Sequence, residues 1–272
     1  MNHHFPLQFA AKSDVGLMRP HNEDSIAVNL NFGLMILADG MGGYNAGEVA
    51  STMAITTIED TLEKKLAVFD PETCKDSTSL MKQMLVEAIE NANLRILTAA
   101  LNTAEYNGMG TTVVATLFHK DQIVVAHVGD SRLYRLRQQE LILLTHDHSL
   151  LQEQIDAGLI DQESARFAPH RNLITRAVGI DTFVDVEVHA FETQLDDLYL
   201  LCSDGLTDML STTEIVDILS QPNNELEDYS DALIRRANDN GGHDNTSVIL
   251  VRAAPINLPQ ESLFGRIFSW MK

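Results

Sequence analysis

Three apolar runs in this chain end in an aspartate, and a fourth is preceded by one. Leu34-Met35-Ile36-Leu37-Ala38 leads into Asp39 and Gly40, and Ile123-Val124-Val125-Ala126-His127-Val128-Gly129 leads into Asp130. Leu198-Tyr199-Leu200-Leu201-Cys202-Ser203 leads into Asp204 and Gly205, and Asp244 stands just ahead of Val248-Ile249-Leu250-Val251. Apolar runs of this length, bounded by Gly and polar residues, read as buried strands. A carboxylate where such a strand emerges is costly unless it is paired, hydrogen-bonded or coordinated. Four of them, far apart in sequence, suggest one convergent site whose oxygen ligands suit Mg²⁺ or Mn²⁺ better than zinc or copper.

Each aspartate taken alone also reads as a turn residue, because Asp followed by Gly, Ser or Asn is a common turn signal. Joint occurrence with further motifs favours the site. Ser13-Asp14-Val15-Gly16 and Arg19-Pro20-His21-Asn22-Glu23-Asp24 come first, then Ala38-Asp39-Gly40-Met41-Gly42-Gly43. Gly110-Thr111-Thr112, Val128-Gly129-Asp130-Ser131-Arg132, Ser203-Asp204-Gly205-Leu206 and Asp244-Asn245-Thr246-Ser247 follow. This ordered series, spanning roughly residues 8 to 253, resembles the metal-dependent serine/threonine phosphatases of the PP2C (PPM) family in their compact bacterial form. Each tetrapeptide is weak by itself, and the order gives the signal its strength.

The resemblance implies an α+β fold, a four-layer α-β-β-α sandwich of two antiparallel sheets flanked by helices, with metals at one end. It implies hydrolysis of phosphoserine and phosphothreonine on proteins by a metal-activated water, without a covalent intermediate, at a centre of two Mn²⁺ or Mg²⁺ ions, or three. Asp39 matches the bridging carboxylate. Asp204 and Asp244 match ligands of the first metal, and the Gly40 carbonyl with Glu23 or Asp24 those of the second, Asp24 being slightly favoured. Asp130, with Asp204, matches a third-metal site of bacterial members. Arg19 matches the arginine that grips the substrate phosphate, for which a planar guanidinium is suited. Many eukaryotic members carry a histidine assigned as general acid where this chain has Met41, which has no proton to donate. A metal-bound water, His243, or His146, His148 or His170 are the alternatives; each histidine by itself reads more readily as structural or surface.

Composition sets outer limits. A chain of 272 residues, 44% of them hydrophobic, has ample material for one large domain or two small ones. A net charge of −20 argues against nucleic acid as the main partner, since phosphate backbones need a basic surface. No run approaches the length of a membrane span. The start, Met1-Asn2-His3-His4-Phe5-Pro6, lacks the basic and apolar regions of a signal peptide. Two cysteines, Cys74 and Cys202, make no disulfide framework, so the chain reads as reduced and cytoplasmic, and Cys202 as a small core residue. The partners expected are phosphorylated proteins, substrates of a cognate Ser/Thr kinase, met by a monomer.

Along the chain, residues 7–40 read as two strands separated by a loop. Helices are expected over about 46–65 and 79–104, with Met81 and Met84 as core fillers. Strands are expected near 111–119, 122–129, 131–137, 140–144, 182–191, 197–203 and 246–253, with late helices near 212–220 and 225–239. Hairpins with segregated helices suggest α+β layers. The polar, His-bearing stretch 145–172 has a helical pattern from Ser149 to Ala157. The family places a mobile flap here, which would tune substrate choice. Residues 7–253 form the expected phosphatase domain, and 254–272 a tail of unknown role. In that tail Leu263, Phe264, Ile267, Phe268 and Met271 share a helical face, open to docking on the domain, to a partner or to a membrane surface.

Rival functions fit less well. A cysteine phosphatase needs Cys-x-x-x-x-x-Arg, but Asp208 follows Cys202 at that offset and Leu80 follows Cys74. The Gly40-Met41-Gly42-Gly43 loop lacks dinucleotide spacing, and no Gly-Lys-Ser/Thr phosphate loop exists. A catalytically weak phosphoprotein-binding protein of the same fold should have lost ligands, and none is missing.

Overall fold

The structure, a computed structural model, describes residues 6–43, 46–69, 76–161, 173–222 and 225–253. Strands β1 (Leu7–Asp14), β11 (Thr246–Ala253), β10 (Leu198–Cys202), β7 (Arg132–Arg137) and β8 (Glu140–Leu143) form one antiparallel sheet in that order. The second sheet runs β2 (Asp24–Asn29), β3 (Leu34–Met41), β5 (Val113–His119), β6 (Gln122–Val128) and β9 (Glu187–Glu192), with the short β4 (Gly110–Thr111) paired to the end of β3. Helices α1 (Ala46–Leu66) and α2 (Ser77–Asn102) cover the second sheet, and α5 (Thr212–Leu219) and α6 (Leu226–Asp239) cover the first. Two short helices, α3 (Leu150–Asp156) and α4 (Asp204–Thr207), lie between them in sequence. This is the four-layer α-β-β-α sandwich that the motifs imply.

The layers follow from side-chain alternation. On β3, Leu34, Ile36 and Ala38 face the helices, whereas Met35 and Leu37 face the other sheet. On β10, Leu198, Leu200 and Cys202 pack toward α5 and α6, and Tyr199 and Leu201 point inward with Ile249 and Val251 of β11. Each fully buried side chain of this kind stabilises by about 1.5–3 kcal/mol. Met81 and Met84 are buried in the α1–α2 core, and Cys202 is a buried free thiol, as expected. The helices start where side chains satisfy their first amides. Asp76 accepts from the Ser79 amide at α2, and Ser211 with Glu214 forms a capping box at α5.

Several boundaries differ from the sequence reading. Residues 7–40 hold three strands rather than two. β2 is only half-buried along most of its length, so its apolar signal is faint, and it turns back through Gly33 at φ +64° into β3. The strand expected over 111–119 is interrupted at Thr112, whose amide donates to the Asp39 carbonyl at 2.8 Å. The strand expected from 182 begins at Glu187. Ser149 caps α3, and the Ser149–Ile174 bridge closes the base of the predicted flap. Most of its outer part, including His170 and Arg171, lies outside the described residues, as do Cys74 and the tail 254–272. Among the described residues, no helix is long and apolar enough to cross a membrane.

Candidate metal centre

The inward-facing rows that build the inter-sheet core all change character at one end. Met35 and Leu37 continue to Asp39; Val28 and Ile26 to Asp24; Tyr199 and Leu201 to Ser203; Val251 and Ile249 to Ser247. Strand pairing places Asp24 directly across from Asp39. Asp204 opens α4 just past β10, Asp130 follows β6, and Asp244 precedes β11. The apolar core thus ends in a set of carboxylates drawn from five separate strand ends.

Their mutual field is severe. Burial, then repulsion from Asp24, Asp204, Asp130 and Asp244, pushes the Asp39 carboxyl well above the usual carboxylate range. Burial, then Asp130, Asp208 and Asp244, does the same to Asp204. Burial raises Asp24 to about 6 and, with Asp147 next, Asp130 to about 6. Strand pairing keeps the Asp24 and Asp39 carboxyls in each other's field. Among the described residues, three buried oxygens, Asp24 Oδ1, Asp130 Oδ1 and Asp204 Oδ1, have no hydrogen-bond donor. An unsatisfied buried carboxylate oxygen costs free energy, and several facing one another cost more. Divalent cations answer both deficits, and an all-oxygen donor set fits Mg²⁺ or Mn²⁺.

Neighbouring residues fix the carboxylates. The Ser203 hydroxyl donates to Asp24 Oδ2 at 2.8 Å and accepts from the Ser247 amide at 3.0 Å. Thr112 Oγ1 accepts from the Asp39 amide at 3.0 Å and lies 2.7 Å from Ser131 Oγ, which ties the Asp39 strand to the segment carrying Asp130. Asn245 holds the entry loop: its side chain accepts from the Glu23 amide at 2.7 Å and donates to the Val15 and His21 carbonyls, each at 2.9 Å. In the sequence, Asn245, Ser203, Ser247 and Thr112 stand inside the motifs with no evident work of their own. Their partners lie far away in sequence, so only the assembled fold reveals it.

Glu23 and Asp24 occupy different surroundings. Asp24 is buried among Asp39, Ser203 and Ser247. Glu23 is half-buried, accepts from the Gly47 amide at the start of α1, and feels Arg19 and Asp244. Burial raises its pKa, and the Arg19 charge works against that rise. The Gly40 amide donates to the Glu23 carbonyl at 3.1 Å, and Gly40 lies against the first turn of α1, where an added Cβ would sit 2.1 Å from the Gly47 carbonyl oxygen and 2.7 Å from the Glu23 carbonyl oxygen. Both obstacles are backbone, so Gly40→Ala is expected to cost about 3 kcal/mol or more, read as a lowered midpoint in urea unfolding. An unchanged midpoint would refute the close approach.

Arg19 is half exposed at the rim, and its Nη2 donates to Asp244 Oδ2 at 2.6 Å. The guanidinium is therefore anchored beside the carboxylates while remaining open to a ligand. Of the histidines considered as proton donors, His243 is exposed and His146 is half exposed and paired with Asp156 at 3.0 Å. His148 is buried with both ring nitrogens engaged, by Gly129 and Glu187, and does not face the centre as a free acid.

A two-sheet sandwich whose core opens into a cluster of aspartates defines the class of metal-dependent phosphatases. The family profile for protein phosphatase 2C matches residues 20–247, and the chain belongs to that family. It is 41% identical over 243 residues to the serine/threonine phosphatase stp of Listeria welshimeri, covering 88% of this chain and 93% of that one. The fold superposes on the Mycobacterium tuberculosis serine/threonine phosphatase PstP/Ppp with a TM-score of 0.81 and 36% identity, covering 91% of this chain and 99% of that chain. A PstP catalytic domain in complex with two manganese ions matches with a TM-score of 0.79 and 35% identity, over 91% of this chain and 98% of its own.

Proposed function

We propose that this chain hydrolyses phosphoserine and phosphothreonine on proteins with Mn²⁺ or Mg²⁺ held at the aspartate cluster. The observation that carries the reading is the set of buried carboxylates with three orphaned oxygens beside a half-exposed, anchored arginine. The serine/threonine phosphatase activity of the Listeria relative and the two manganese ions of the PstP domain point the same way. Asp39 would bridge two ions, with Asp204 and Asp244 on one side and Gly40 with Glu23 or Asp24 on the other. Glu23, beside Arg19 and Asp244, lies nearer the substrate side; Asp24, deeper and held by Ser203, suits a ligand or the support of one. Asp130 with Asp204 offers a place for a third ion. Bound there, divalent ions supply Lewis acidity toward the phosphoryl oxygens and lower the pKa of water toward neutrality.

Arg19 grips two phosphoryl oxygens with its planar fork and orients the ester. Asp244 holds that fork in place through the 2.6 Å contact. The Cys202 thiol offers no nucleophile, being fully buried and pushed up to about 12 by burial, which supports hydrolysis without a covalent intermediate. Met41 supplies no proton, and a water held by bound ions would be the donor for the leaving serine or threonine oxygen. The physiological partners are phosphorylated proteins of a cognate kinase, met by a monomer in the cytoplasm.

The test is phosphate release from a phosphothreonine peptide. Release is expected to stop in chelator and return with Mn²⁺ or Mg²⁺. Full turnover in metal-stripped buffer would sink the reading, and so would no turnover at any Mn²⁺ concentration, which would favour a phosphoprotein-binding role. Arg19→Ala is expected to lower kcat/KM on the peptide about 10- to 100-fold, as loss of a charge-assisted hydrogen bond to phosphate would. A change of less than about twofold would remove Arg19 from substrate binding.

A further inference from the structure

His127, His148 and Glu187 form a second cluster of titratable groups, apart from the carboxylate centre and with ligand-capable atoms within 4.8 Å of one another. His127 and Glu187 are register partners on β6 and β9, and both side chains point between the sheets. The His148 ring stacks on His127 with centroids 4.9 Å apart and planes 15° from parallel. Burial lowers the pKa of both imidazoles, which keeps them neutral.

The hydrogen bonds decide the tautomer. The Gly129 amide donates to His148 Nδ1 at 3.2 Å, so Nδ1 carries the lone pair and Nε2 the proton. That Nε2–H faces Glu187 Oε2 at 3.3 Å. The nitrogen a metal would need is thus already protonated and paired, and the cluster serves another purpose. The His148 amide also donates to the Gly129 carbonyl at 3.0 Å. One residue therefore holds both backbone polar groups of Gly129.

Gly129 is a tight joint. Its φ is +102°, and an added Cβ would lie 2.7 Å from the Thr112 side chain. Asp130 is the next residue, with Oδ1 buried and unpartnered. On the far side, the His148 carbonyl accepts from the Thr175 amide at 2.9 Å, where the 145–161 segment is closed at its base.

We propose that His148 is a positioning residue for Asp130: it clamps Gly129 through main chain and ring, and so aims the Asp130 carboxylate toward the ion shared with Asp204. This rests on the reading that Asp130 and Asp204 hold an additional ion. Glu187 and the His127 stack keep the ring in the required tautomer and plane.

The test compares two polar variants. Asn places an acceptor where His148 has Nδ1 but cannot reach Glu187. Gln reaches toward Glu187 but has carbon at the δ position. Mn²⁺ binding is measured by equilibrium dialysis on wild type, His148→Asn, His148→Gln, Asp130→Ala and the Asp130→Ala/His148→Gln double variant. The Asp130-dependent class of site is expected to weaken about tenfold or more in His148→Gln, in line with loss of a residue that orients a ligand, and to stay within about threefold of wild type in His148→Asn. The double variant is expected to match Asp130→Ala alone. Equal weakening by Asn and Gln would overturn the proposal, since an acceptor at the Nδ1 position would then make no difference, and so would a smaller loss in Gln than in Asn, which a space-filling role predicts. Additivity in the double variant would overturn it too, as would a tenfold loss in the Asn variant alone. Unchanged Mn²⁺ binding in Asp130→Ala would instead bring down the additional ion, and the proposal with it.

Discussion

Asp39→Asn is expected to abolish turnover, lowering kcat on the order of 10³-fold, the upper end of what removing one charge-stabilising group costs. The same change is expected to raise the thermal midpoint of the metal-free protein. Asp39 is repelled in turn by Asp24, Asp204, Asp130 and Asp244, and its carboxyl is pushed far up by burial. A neutral amide keeps the shape and removes that repulsion. Activity and metal-free stability should therefore move in opposite directions, a signature that general misfolding does not produce. A variant with near wild-type rates at saturating Mn²⁺ would show that Asp39 does not bridge the ions.

Removing metal is expected to make the protein's stability fall as pH rises from about 4 through about 6 and above, over and above the trend of the metal-loaded form. Asp24 and Asp130 have folded pKa values raised to about 6, and Asp39 and Asp204 are raised further above the same starting value of 3.8. A group with a raised folded pKa binds its proton more tightly when folded. Its stabilising contribution is whole below the unfolded pKa and is lost as pH climbs through the folded one. Mn²⁺ replaces the lost protons, so the shift it causes in melting temperature should be small near pH 5 and grow toward pH 8. At an ion concentration a hundred times the dissociation constant, one site adds about 2.7 kcal/mol. Differential scanning fluorimetry at several pH values, with and without Mn²⁺, measures this. A shift independent of pH would show that these carboxylates do not take up the ions.

The aspartates were legible because each interrupts or borders an apolar strand run, a conflict that a sequence displays openly. Asp39, Asp130, Asp204 and Asp244 were found that way, and the structure brings them together at one end of the sandwich. The helix α1 was legible to within a residue from the apolar stripe Val49, Met53, Ile55, Ile58, Leu62 and Leu66, of which Ile55, Ile58, Leu62 and Leu66 are buried and Val49 and Met53 pack against the same core. β2 was harder to read because it is half-buried and one face meets α1 through polar Ser25. The distinction between Glu23 and Asp24 was equally hidden. Adjacent residues on a strand face opposite ways, and which way is inward depends on a register set by β3. The work of Asn245 and His148 was hidden for a different reason. It consists of hydrogen bonds to Glu23 and Gly129, which are distant in sequence and carry no periodicity.

The most direct measurement is anomalous scattering at the manganese edge from crystals grown with Mn²⁺. The account predicts two strong peaks on either side of Asp39, one toward Asp204 and Asp244 and one toward Gly40 and either Glu23 or Asp24, both absent in Asp39→Asn. No peak at this cluster, or undiminished peaks in the variant, would contradict it.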